Sequence, residues 1–404
     1  MPAQQPPTKT GLNALEIGRG LAIVAVIYGH ALAPWFMDAG DRFSEAAFLQ
    51  WKFGAAFVMA FFFFVSGVGW RETESLAVAL RKSATLIAIA WLASTAFDIA
   101  RLLVSESGMG EAIGAPPLDI VAFLRGVARM AVFGDVYSLS GLWFLAALGV
   151  VRVLAAVMRR LDRRMAWMLG LGVLALTLAS TAFYWRNIYQ IHLLGVALAF
   201  FVAGRAWRTV LTELEQKPLA AYALLVASGL VLAVTFDLNQ GCRWDFTRQC
   251  GEAWLGGRFG VSMIQGQFGN LPLFALTAIA GVAFASMLAI VLAYFGGAAA
   301  RRLSAWGRNS LNLLIVNCLF LHVGNLLVAA WVTPYIGADN PLFFVALLTL
   351  TLGANLALVD FLARPLRRLA QTANRLAAWA LALPAQALTL AAVAMRSNRV
   401  SPGP

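Results

Sequence analysis

ALEIGRGLAIVAVIYGHALA, residues 14–33, decides the fold. A bilayer core demands about 20 predominantly apolar residues in a helix, and this run meets that length. It also holds Arg19 and His30. Ionisable groups inside a span are unfavourable and usually mark a site. At roughly 100° per residue the eleven-residue spacing brings both to one face, about 16 Å apart along the axis. The run imitates a signal peptide ending in Ala31-Leu32-Ala33, but His30 within it and Glu16 before it argue for an uncleaved first span.

Similar runs recur at 53–70, 83–104, 139–157, 165–184, 188–206, 218–236, 271–295, 309–332 and 341–363, making ten spans. The fold class is therefore all-α, a polytopic transmembrane helical bundle. An Ala-rich stretch at 376–395, interrupted by Pro384 and Gln386, reads as an interfacial helix or an eleventh span. Hydrophobic residues make up 61% of the chain and charged residues 12%, against about 25% charged in soluble domains. The organisation is a flexible tail over 1–13, one membrane domain over 14–365 and a basic, Ala-rich segment over 366–404. No internal repeat is evident, which counts against the commoner transporter folds.

A net charge of +12 could signal nucleic acid, but the charges fall in short loops between apolar runs. Twenty of the 31 lysines and arginines lie in loops on the N-terminal side and nine on the other, with Arg19 and Arg152 inside spans. The positive-inside rule then puts the N-terminus in the cytoplasm. Two long outer loops remain, 105–138 and 237–270. The second is rich in amides, which suit a hydroxyl-bearing ligand and plain solvation equally well. Cys242 and Cys250 share that loop, where a disulfide is compatible with an oxidising compartment. Their spacing without a nearby His is a poor zinc signal, so no metal is expected.

His30 reads as a general base that takes a proton from a hydroxyl, or as a buried histidine bonded to a neighbouring helix. Arg19 suits an anionic group such as phosphate, or anchors the helix at the interface. Glu16 lies three residues before Arg19, in place to orient or neutralise it. Ser66-Gly67 closes a phenylalanine-rich run and reads first as close packing. His192, beside Arg186, Asn187, Tyr189 and Gln190, reads as an interfacial polar cluster or the edge of an acceptor entrance. Asp98 and Arg101 read as a structural ion pair.

Leu15-Glu16-x-x-Arg19-Gly20 followed by His30 resembles the first-helix signature of the acyltransferase 3 family. Met59 to Gly67, with its four consecutive phenylalanines, is similar to that family's second helix. Gly141-Leu142-Trp143-Phe144-Leu145 resembles its Trp-Phe-Leu motif; Phe200 to Gly204 and Gly307 to Leu311 are similar to later signatures. The resemblance spans about residues 12–365. It departs where the family often places a His: Asn317 and Cys318 stand there, and the His is His322.

The resemblance implies a bacterial inner-membrane enzyme that moves an acyl group, typically acetyl, from acyl-CoA to a hydroxyl of a carbohydrate or glycoconjugate. His30 and Glu16 are then the catalytic candidates. Arg19, Arg71, Arg81 and Ser66 are candidates for the coenzyme, and Trp143, His192 and Asn317 for the acceptor. Membrane lipid is the other expected partner, and nucleic acid is not expected. The alternative class is a transporter or flippase for a glycan or lipid-linked substrate.

Overall fold

The computed structural model describes residues 12–36, 44–70, 74–106, 118–134, 140–183, 185–239, 241, 260–331, 335–337 and 340–397. The first helices are α1 (Ala14–Leu32), α2 (Glu45–Ala55), α3 (Val58–Val68), α4 (Leu76–Glu106) and α5 (Ile120–Phe133). Next come α6 (Trp143–Met158), α7 (Arg163–Ala182), α8 (Ile191–Glu215), α9 (Pro218–Thr235) and α10 (Leu271–Phe295). The chain continues with α11 (Gly297–Arg308), α12 (Ser310–Trp331), α13 (Pro341–Phe361) and α14 (Ala363–Ser397). Among the described residues there is no strand.

Eight stretches are long and apolar enough to cross a membrane, and Trp143–Met158 and Ser310–Phe320 are shorter apolar helices. These ten coincide with the ten runs read from the sequence, so the protein is an all-α multi-pass bundle. Helix starts follow local chemistry. Asn13, Asn270 and Asn340 cap α1, α10 and α13 by accepting from backbone N–H groups in the first turn. Proline occupies the first turn of α9, α10 and α13, where its missing N–H leaves no helical bond unmade.

Three elements differ from the sequence reading. The second span begins at Glu45 rather than 53 and breaks between α2 and α3. It takes in Lys52 because that side chain is buried and its ammonium pairs with Asp237 at 2.7 Å, at the far end of α9. The loop 105–138 contains α5, whose Arg125 and Arg129 interrupt its apolar pattern; Asp119 caps it and Gly134 ends it with a positive φ of 65°. Third, α14 is one continuous helix from Ala363, not a separate element near 376, and it is not among the eight candidate spans. Leu366, Ala373 and Ala377 are buried, at a spacing that makes one stripe, and α14 packs mainly on α4.

α1 stands at the centre, touching α2, α3, α10, α11, α12 and α13. Lipid tails are as apolar as leucine, so close backbone approach rather than water exclusion drives such packing. Two pairs of glycines provide it. A Cβ on Gly20 of α1 would collide with the carbonyl of Leu303 in α11, and one on Gly307 with the carbonyl of Glu16. Likewise Gly67 of α3 would strike the carbonyl of Phe201 in α8, and Gly204 that of Phe64. Ser66-Gly67 and Phe201 to Gly204 thus mate across one helix crossing.

Candidate active site

His30 lies in the last turn of α1. Its Nδ1 is 2.7 Å from Oδ1 of Asn317, which α12 carries and which is wholly buried. An amide oxygen only accepts, so the proton sits on Nδ1 and the Nε2 lone pair is left open. Gly141 lets the turn before α6 press against the ring: a Cβ there would lie 3.2 Å from His30 Cε1 and 2.5 Å from the sulfur of Cys318.

His30 opens on a cavity of about 570 Å³. Its walls come from the second half of α1, from α2 and α3, from Gly141 to Phe144, and from residues 261–264. Trp143 is in the wall, 8% exposed, in edge contact with Phe144. Phe144 in turn lies against Phe62 at 5.3 Å and Phe63 at 5.0 Å between ring centres. Tyr28 donates a 2.5 Å hydrogen bond to Gln50, and both face the cavity. Residues 261–264 belong to a turn closed by the backbone pairing of Ser262 with Gln267, and the buried amide of Asn239 binds the neighbouring backbone at Phe268, Asn270 and Gly241. Asn239 therefore serves the loop's own fold.

A second cluster gathers on the membrane face where α1 begins. Arg19 is half-buried and makes no hydrogen bond or ion pair with a described residue; a Cβ on Gly69 would lie 2.6 Å from its Nη2. Glu16 acts on Arg19 only through space. Its carboxylate instead accepts from Arg308 at 2.6 Å and from Ser304 at 2.7 Å, joining α1 to α11. The expected close pairing of Glu16 with Arg19 is thus replaced by one with Arg308, which leaves the Arg19 guanidinium available to an anion.

Arg152 of α6 repels Arg19 electrostatically and lies 3.4 Å from the buried carboxylate of Glu74. Lys82 pairs with the other oxygen of Glu74 at 2.8 Å, and Arg159 donates to its backbone carbonyl at 2.5 Å. Arg159 and Arg205 stand over the ring of the buried Trp70, at 5.8 and 5.4 Å. Lys82, Arg152 and Arg159 thus gather on Glu74, and with Arg19 they form a cluster of cations on this face. Arg152 carried the same signal as Arg19, a cation inside an apolar run, and sequence reasoning passed over it.

The remaining candidates are placed as follows. Ser66 is half-buried on α3, one turn beyond Phe62 of the cavity wall and three residues before Gly69, which faces Arg19. Phe62, Ser66 and Gly69 thus share one stripe by their spacing, and Ser66 is not among the residues that line the cavity. Arg81 is exposed and donates to Asn374 of α14 at 3.3 Å. His192 is buried outside the cavity wall, its Nε2 bonded to the carbonyl of Trp185 at 2.9 Å. Arg101 lies 3.8 Å from Asp98. Arg71, Cys242, Cys250 and the side chain of His322 lie outside the described residues. Among the described residues no group of three His, Cys, Asp or Glu could hold a metal.

A bundle with eight helices long and apolar enough to cross a membrane, with a histidine bonded to a buried asparagine at the wall of its cavity, defines a multi-pass membrane protein. A family model described as an acyltransferase domain matches residues 12–360. The chain belongs to this acyltransferase 3 family and is a membrane acyltransferase. No curated protein and no solved structure matches it.

Proposed function

We propose that the protein is an O-acyltransferase of the bacterial inner membrane, moving an acyl group from acyl-CoA to a hydroxyl of a carbohydrate or glycoconjugate. The observation that carries this reading is the His30–Asn317 pair at the wall of the cavity. With the N-terminus cytoplasmic, the coenzyme phosphates meet Arg19, Arg152 and their neighbours, where a fixed guanidinium suits an anion. The pantetheine arm follows α1, past the Ser66 stripe, and brings the thioester to His30. The acceptor arrives from the opposite face.

His30 Nε2 takes the hydroxyl proton as the oxygen attacks the thioester carbonyl. The tetrahedral adduct collapses with cleavage of the C–S bond. The departing thiolate receives the proton from the imidazolium, giving ester and free coenzyme A. Asn317 holds the ring in the tautomer that starts this cycle, as the third group of a catalytic triad does. Mass spectrometry of surface glycans from cells with and without the protein tests the reading. A recurrent acyl mass difference is expected, and identical glycan profiles would count against it.

A further inference from the structure

Among the described residues, the walls of the His30 cavity contain no charged side chain. Trp51, Phe57, Phe62, Trp143 and Met263 dominate, and the polar groups besides indoles are Tyr28, His30, Gln50 and Ser262. Two of these are already engaged. Tyr28 gives its proton to Gln50, whose amide donates to the carbonyl of Ala46 at 3.0 Å. A sugar ring placed wholly inside would bury several hydroxyls with few partners, at about 1–3 kcal/mol for each one left unsatisfied. An alkyl chain carries no such penalty. At about 570 Å³ the space is also in the range that holds whole drug-sized ligands, roughly 300–1,000 Å³, far more than an acetyl group fills.

We infer that this cavity is an acyl pocket for a chain longer than acetyl, an inference that rests on the acyl-CoA reading above. The thioester carbonyl must stand at His30, so what lies beyond it is the acyl chain, and beyond His30 the walls are apolar. The acceptor hydroxyl then meets the carbonyl at His30. Gly54 gives a direct handle on the volume. A Cβ there would meet only Val58, at 3.9 Å, so a larger side chain can grow into the space.

The test uses the full-length protein in nanodiscs and acetyl-, butyryl-, hexanoyl- and octanoyl-CoA, with affinity measured by calorimetry. Affinity should rise about fourfold per added methylene, the ordinary gain for burying one, until the cavity is full. In Gly54→Leu the ratio of octanoyl- to acetyl-CoA affinity should fall at least tenfold. Equal affinities along the series would overturn the acyl pocket while leaving acyl-CoA as donor. So would a chain-length gain unchanged in Gly54→Leu, which would place the chain in lipid. Binding of 1-octanol to the protein, with equal affinities along the coenzyme series, would assign the cavity to an apolar acceptor instead. Failure of every acyl-CoA to bind would overturn the donor reading itself.

Discussion

Asn317 Oδ1 stands 2.7 Å from His30 Nδ1, joining residues 287 positions apart in the chain. The contact holds the imidazole ring by its Nδ1 edge. Asn317 is buried completely.

Asn317→Ala should lower kcat about 10–100-fold, the usual effect of losing an outer partner of a functional histidine. The affinity for acyl-CoA should stay within a few-fold of wild type, since the amide orients the base and touches no coenzyme. Separate measurement of kcat and of coenzyme affinity checks this. A change confined to affinity would make Asn317 a binding residue.

Arg19→Ala and Arg152→Ala should each weaken acyl-CoA binding, and Arg19→Lys should only partly restore it, because an ammonium does not reproduce the planar fork. Binding to wild type should also weaken with salt, as expected of a positive patch partly open to solvent. Titration of coenzyme A at two ionic strengths is the measurement. Affinity unaffected by either substitution would remove the patch from the donor site.

Glu16→Gln should reduce thermal stability slightly, by about 0–1 kcal/mol, since its partner Arg308 is 59% exposed. Loss of turnover in correctly folded protein should remain far smaller than for His30→Ala. Thermal unfolding together with turnover per folded molecule decides the point. A loss as large as that of His30→Ala would return Glu16 to the chemistry.

Gly67→Ala should destabilise the bundle by about 1–3 kcal/mol, because the added methyl meets a backbone carbonyl in α8 that cannot move alone. Gly172→Ala, on a face of α7 with nothing within 4 Å, should be neutral or slightly stabilising. Melting temperatures of the two variants in the same detergent provide the comparison.

The spans were legible because the bilayer imposes one length on every crossing helix. What hid α2 and α5 were the charges Lys52, Arg125 and Arg129. Lys52 is neutralised by Asp237, 185 residues away, and no local pattern reveals such a pairing. The same division holds at the site. Arg19 and His30 announced themselves as ionisable groups in an apolar run. The pairings that give them meaning, Asn317 with His30 and Arg308 with Glu16, come from helices far along the chain. Gly141 gave only the sign of a glycine ahead of Trp143; its contact with the His30 ring is tertiary.

The most direct test of the account is acyl transfer by His30→Ala in membranes holding equal amounts of each protein, read as acylated glycan by mass spectrometry. Losing a positioned general base typically lowers the rate about 10²–10⁴-fold, so the variant should insert normally and leave almost no acylated product. Near-normal acylation by His30→Ala would contradict the central claim.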